Sequence, residues 1–278
     1  MKVKLASNYG FCFGVKRAIK IAEDYKDSST MGPLIHNQDE INRLKKDFNV
    51  GLYNNLSDVK DNDTVIIRTH GIPKNDLKNL RAQNAKIINA TCPFVTTPQQ
   101  IVKKMSKEGY SILIFGDADH PEVKGVQSYA EHQNDVHIVL EPADLENIVF
   151  RNSKIATVAQ TTKKKEKYLE IVNYLILKNK EVRVFNTICD ATFENQDAAR
   201  ELSKEVDVMI VIGGKNSSNT KQLHSICLEN CSDSYLIENE TELDISWFKN
   251  KKLCGVTAGA STPDWIIQQV VDKIESFN

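Results

Sequence analysis

The sequence holds no apolar run approaching the ~18–20 residues a membrane helix needs, and its beginning lacks the apolar stretch and cleavage site of a secretory leader. A cytoplasmic chain that does not meet a membrane is the expectation. Net charge is also missing: 36 Lys and Arg against 37 Asp and Glu leave −1, so no global field favours nucleic acid or an anionic surface. Lys163-Lys164-Lys165 reads as a solvated helix face. The six cysteines form no CxxC-type string, and in a reducing compartment they are thiols, metal ligands or catalytic groups before they are disulfides. Gly213-Gly214-Lys215 lacks the GxxxxGK[ST] spacing of a Walker loop, and no flavin site is visible.

What is present is an ordinary globular composition, 41% apolar over 278 residues, enough for two or three small buried cores. One local pattern occurs three times. Cys12, Cys92 and Cys189 each follow a short strand (residues 2–5, 86–89 and 182–185) and open a helical stretch (15–26, 98–108 and 195–205). A polar loop begins 24 residues after each cysteine, at His36, Gly116 and Gly213. A middle strand (50–53, 136–140, 234–237) and a further strand then lead to a second polar loop: Thr69-His70-Gly71, Gln160-Thr161-Thr162 and Thr257-Ala258-Gly259-Ala260-Ser261.

The third unit lacks a closing strand, whereas residues 2–6 supply one with no partner nearby in sequence, so the N-terminal strand is expected to complete the third sheet. The predicted fold is α/β, with three similar small domains (13–91, 92–188, and 189–278 completed by 1–12), each a parallel sheet. They are arranged about a pseudo-threefold axis like a trefoil, with the loops at the carboxyl ends of the strands forming the site.

Three converging cysteines without a fourth partner suit an iron–sulfur cluster with one open iron; the same residues could also be small buried groups or nucleophilic thiols, and helix N-termini in general favour the thiolate. His36, His70 and His120 fall at strand ends. With Ser217, Asn219 and Ser261 they make a set of neutral or cationic donors suited to phosphate. Glu122, in His120-Pro121-Glu122, is the carboxylate singled out as a proton donor or relay, with the Thr161 hydroxyl to hand protons onward; a dipole-complementing acid at a helix start is the bland alternative. His224, Cys227 and Cys231, at i, i+3 and i+7, read as a core face despite their likeness to a metal stripe, and Cys254 reads as core within its strand.

These residues also carry a resemblance. Gly10-Phe11-Cys12 with Gly14-Val15, Thr69-His70-Gly71, Ala90-Thr91-Cys92-Pro93, His120-Pro121-Glu122-Val123, Gln160-Thr161-Thr162, Lys215-Asn216-Ser217-Ser218-Asn219 and Thr257-Ala258-Gly259-Ala260-Ser261 resemble the 4-hydroxy-3-methylbut-2-enyl diphosphate reductase family of the non-mevalonate isoprenoid pathway, from one end of the chain to the other. The resemblance implies one [4Fe-4S] cluster at the centre of the trefoil, held by Cys12, Cys92 and Cys189, with one open iron. There the substrate hydroxyl binds and leaves as water, giving isopentenyl and dimethylallyl diphosphate. It implies that His36, His70, His120, Ser217, Ser218, Asn219 and Ser261 hold the diphosphate, that Glu122 and Thr161 deliver protons, and that ferredoxin or flavodoxin donates electrons to a monomeric enzyme.

Two positions depart from the family pattern. Phe13 replaces a small residue beside the first cysteine, and Asp119 stands where glycine commonly precedes the histidine; its charge is expected to point away from a diphosphate. Two rivals stay open on sequence grounds: a cluster-bearing phosphate-ligand redox sensor without turnover, and a thiol hydrolase or transferase using Cys12.

Overall fold

A computed structural model describes residues 1–277. In chain order the main elements begin with β1 (Lys2–Leu5), α1 (Phe13–Asp24), β2 (Ser29–Met31), α2 (Gln38–Phe48), β3 (Gly51–Tyr53), β4 (Thr64–Ile67), α3 (Lys74–Ala82) and β5 (Lys86–Asn89). They continue with α4 (Pro93–Lys107), β6 (Ser111–Phe115), α5 (Pro121–Gln127), β7 (Val136–Val139), β8 (Lys154–Ala159), α6 (Lys165–Lys178) and β9 (Glu181–Val184). The last are α7 (Asp190–Ser203), β10 (Val208–Ile212), α8 (Ser218–Leu228), β11 (Ser234–Ile237), β12 (Leu253–Ala258) and α9 (Asp264–Glu275).

The fold is α/β with three four-stranded parallel sheets, ordered β1-β12-β10-β11, β3-β2-β4-β5 and β7-β6-β8-β9. The N-terminal strand does pair with β12, in register Lys2 with Leu253 through Leu5 with Val256. The chain forms two compact units: Met1–Lys16, Ile35–Leu44 and Asp190–Asn278 make one, Arg17–Leu34 and Lys45–Cys189 the other.

In the first unit β10 (Val208-Met209-Ile210-Val211-Ile212) is buried along its whole length, as a parallel strand covered on both faces must be. One face packs with Cys254, Val256, Ile266 and Val270. The other packs with Ala199, Leu202, Leu223, Cys227 and Cys231. The second unit repeats the pattern around β6, also buried throughout, packed with Val102, Met105, Val123 and Val158; a smaller core gathers Val65, Ile67, Ile72 and Leu80 around β4.

The strands over 2–5, 86–89 and 234–237 lie where the sequence puts them. The cysteine-led helices differ: they start at Phe13, Pro93 and Asp190, nearer their cysteines than 15, 98 and 195. In α4 the favoured N-terminal proline is Pro93, with Cys92 as N-cap, and Pro98 lies buried inside the helix. Among the described residues, no helix is long and apolar enough to cross a membrane.

Candidate functional site

In the first unit Ser217, Ser218 and Asn219 follow β10, Ser261 follows β12, Cys12 follows β1 and His36 follows β2. Cys12 donates its backbone N–H to Ala260 O at 3.3 Å, and Gly10, at φ +74°, donates to Ala258 O at 3.1 Å. That left-handed turn needs glycine and carries the chain from β1 to the cysteine. Ser217 caps α8 by accepting the Thr220 N–H, which places Ser218 and Asn219 in the first turn. The Ser261 hydroxyl donates to His36 O at 3.3 Å. On the other side, a Cβ on Gly214 would fall 2.2 Å from the same carbonyl oxygen. His36 is thus seated by its main chain against both loops. Asn219 is 5% exposed, yet neither its amide oxygen nor its nitrogen has a protein partner. Such burial costs about 1–3 kcal/mol per group unless something else pairs with it.

In the second unit Cys92 donates its N–H to Thr69 O, and Cys189 donates to Thr161 O, both at 3.0 Å. The Thr69 hydroxyl ties the preceding loop by donating to Leu34 O at 2.9 Å. Gly71 turns at φ +70°, and a Cβ there would meet Gln99 Nε2 at 2.9 Å. This turn brings the His70 ring edge-on to that of His120, with centroids 5.4 Å apart at 85°. His120 caps α5, its Nδ1 accepting the Glu122 N–H at 3.3 Å. A neutral His120 therefore carries its proton on Nε2.

Glu122 is 1% exposed. Its carboxylate accepts the Thr161 N–H at 2.7 Å and the Thr161 hydroxyl at 2.6 Å. Burial pushes this carboxyl above the ordinary glutamate range, and the two Thr161 bonds and the Lys163 charge pull it part of the way back. Gln160 fastens the two loops, accepting the Asp117 N–H at 3.0 Å and donating to the Thr162 hydroxyl at 2.9 Å.

Two residues that matter here were not legible beforehand. Lys163 is 8% exposed and no part of a solvated helix face, which begins only at Lys165. It closes the Gln160 turn, and burial lowers its ammonium below the usual lysine range against the pull of Asp117, Glu141 and Glu122. Arg68 donates Nε–H to Gly71 O at 3.3 Å and so braces the His70 turn. The Asp119 carboxylate is 94% exposed and pairs with Lys124 at 3.0 Å.

The donor set fits an iron–sulfur group. Cys12, Cys92 and Cys189 are thiols, half-buried, and held at equivalent stations by equivalent bonds; thiolate sulfur is the ligand such clusters take. Cys227, Cys231 and Cys254 are buried in the core, with Cys227 and Cys254 pushed up by burial to about 12, while His224 bonds its ring to Ser234 O.

Known proteins resemble this chain along its whole length. The sequence profile of the LytB protein family matches residues 3–275. The 4-hydroxy-3-methylbut-2-enyl diphosphate reductase of Sulfurovum sp. (strain NBC37-1) is 66% identical over all of both chains, and that of Sulfurimonas denitrificans is 62% identical over 99% of each. Among solved structures, (E)-4-hydroxy-3-methyl-but-2-enyl diphosphate reductase, the terminal enzyme of the non-mevalonate pathway, matches at TM-score 0.72 and 43% identity, covering 99% of this chain and 100% of its own. The reductase structure from Plasmodium falciparum matches at TM-score 0.91 and 29% identity, covering 98% and 87%. With its profile, its full-length relatives and its loop chemistry in agreement, the chain belongs to the LytB family.

Proposed function

We propose that the chain is the reductase its relatives are named for: it removes the hydroxyl of 4-hydroxy-3-methylbut-2-enyl diphosphate with two electrons and two protons, releasing isopentenyl diphosphate, dimethylallyl diphosphate and water. The observation that carries the reading is one bond made three times, from the backbone N–H of Cys12, Cys92 and Cys189 to Ala260, Thr69 and Thr161. It seats each thiol against the loop that holds the polar side chains of its unit. Cys12, Cys92 and Cys189 would hold one [4Fe-4S] cluster with one iron left to substrate. When bound, the cluster supplies one-electron transfer and a Lewis-acidic iron.

The remaining chemistry falls to the chain's own side chains. His36, His70, His120, Ser217, Ser218, Asn219 and Ser261 donate to the diphosphate. The His120 Nε2 proton and the unpartnered Asn219 amide are set for that role before any ligand arrives. Glu122 is the proton source, because a carboxyl whose pKa burial raises keeps its proton to higher pH than a solvated glutamate does. Thr161, 2.6 Å away, relays that proton through its hydroxyl. We assign ferredoxin or flavodoxin as donor to a cytoplasmic monomer, and the domain limits 13–91, 92–188 and 189–278 with 1–12 go with the same reading.

The first test is iron and acid-labile sulfide on protein purified without oxygen, wild type beside Cys12→Ser. About four of each per chain in the wild type, degraded in the variant, is expected, followed by turnover of the allylic diphosphate. A wild type that stays colourless after anaerobic reconstitution, or that turns over substrate without metal, overturns the reading and returns the cysteines to thiol chemistry or packing.

A further inference from the structure

Beside Cys92 lies an open groove of about 570 Å³ to which neither the diphosphate donors nor the proton relay contributes. Its wall includes Thr91 and Pro93, the residues that flank Cys92, and its floor runs along α4 through Thr97, Ile101 and Lys104. Helical spacing continues that face to Phe94, three residues before Thr97, a residue 44% exposed. Arg17 closes the other side, donating to Thr91 O and Asn89 O at 3.3 Å each, so its guanidinium is held against the backbone that leads into the cysteine.

The charge here is of one sign. Arg17 and Lys104 line the groove and no acid does. α4 contains no Asp or Glu at all, while it carries Lys103, Lys104 and Lys107; Lys20 lies one turn beyond Arg17. The nearest acid to Lys104 is Glu108, at 4.0 Å, which Arg183 engages more closely at 3.3 Å. On a chain whose net charge is −1, this is a local basic patch on the helix that also carries the exposed Phe94, next to a sulfur assigned to the redox group.

We infer that this groove is where the electron donor docks: a small acidic one-electron carrier protein seats against Phe94 and between Arg17 and Lys104, on the outer side of the Cys92 turn. The proposal rests on the reductase reading, which requires electrons from outside the chain. Each docked carrier is oxidised by one electron. Two such encounters supply the pair that, with two protons, turns R–OH into R–H and water. The aromatic gives a buried contact and the cations steer approach and set register, the division of labour expected of a transient interface.

The test uses the cluster-loaded protein and an acidic flavodoxin as the probe, with binding followed by titration calorimetry and stopped flow across ionic strength. Gln100→Glu/Lys104→Glu places two acids on exposed groove positions and leaves Arg17 in place; Lys178→Glu, on α6 and outside the groove lining, is the control. Wild type is expected to bind more weakly as salt rises. The double variant should associate about tenfold more slowly at low salt, with a flatter salt dependence, while the control matches wild type. Turnover driven by reduced methyl viologen should be the same in all three.

A double variant that binds flavodoxin like wild type, with the same salt dependence, overturns the docking assignment. So does a wild type that does not bind flavodoxin yet turns over with viologen, and in both cases the reductase reading stands. A double variant whose mass by light scattering falls from dimer to monomer makes the groove a contact between copies instead, and also overturns it. Failure of viologen-driven turnover in loaded wild type defeats the reductase reading itself.

Discussion

Replacing Glu122 by Gln separates its charge from its shape. The amide can still accept the Thr161 N–H, now at 2.7 Å from the carboxylate, and its NH2 can donate to the Thr161 oxygen 2.6 Å away. Both contacts therefore survive in kind, each contributing about 1 kcal/mol as neutral hydrogen bonds do, and the fold should be kept. What is lost is the transferable proton. General acid–base residues contribute about 10²–10⁴-fold, so turnover with reduced viologen should fall by that order with iron and sulfide content unchanged. Stability gives an independent readout, and its sign comes from the raised pKa. Because the folded-state pKa lies above the unfolded one, the neutral carboxyl's contribution is fully present below the ordinary glutamate range and is lost as pH rises through the folded value. Gln stays neutral throughout. Thermal unfolding between about pH 4 and 9 should show the variant gaining on wild type as pH increases. Turnover near wild type with an intact cluster would refute the proton role, and parallel stability curves would refute the buried charge.

Cys227→Ser and Cys189→Ser should fail in different ways. The first puts an unpaired hydroxyl into the packed face around Leu223, costing about 1–3 kcal/mol in unfolding experiments with iron retained, whereas the second should lose iron and sulfide with a smaller change in chain stability. Gly214→Ala drives a Cβ to 2.2 Å from His36 O, a clash between two main chains that neither can relieve by a side-chain turn. The loops must part at a cost of about 1–3 kcal/mol, and KM for the diphosphate should rise more than kcat falls. Asp119→Asn removes only an exposed pair with Lys124, worth at most about 1 kcal/mol, and should leave turnover and substrate affinity as they are.

Much of this architecture was legible because parallel strands advertise themselves. Val208 to Ile212 and Ser111 to Phe115 are short, nearly unbroken apolar runs, and the chain leaving each of them must enter a loop at a carboxyl end. The threefold recurrence of the cysteine then located the edge strands, including the pairing of residues 2–5 with 253–256 across the whole chain. Helix starts were less legible. The stretch expected over 98–108 begins at Pro93, the favoured N-terminal proline, and α4 tolerates Pro98 in its interior. Lys163 was hidden for a different reason. Three consecutive lysines look alike in sequence, and only the Gln160 turn, which reverses the chain just before α6, turns the first of them inward toward Asp117, Glu141 and Glu122.

Position separates the three cysteines proposed as ligands from the other three, since the residue type is the same. Cys227, Cys231 and Cys254 occupy faces that must be apolar for β10 and β12 to pack, and in that setting Cys227 and Cys254 hold their protons up to about 12. A thiol so placed neither ligates nor attacks readily. Cys12, Cys92 and Cys189 come just after an edge strand, where the chain must leave the sheet, and its N–H finds the carbonyl of the loop after the neighbouring strand. That bond fixes the cysteine backbone without burying the sulfur, and it couples each cysteine to Ala260 beside Ser261, to Thr69 beside His70, or to Thr161, the partner of Glu122. Parallel-sheet topology therefore places a soft donor and a polar side chain at adjacent strand ends each time it is repeated. Three repeats would supply both the proposed sulfur ligands and the proposed hydrogen-bonding groups of a diphosphate reductase.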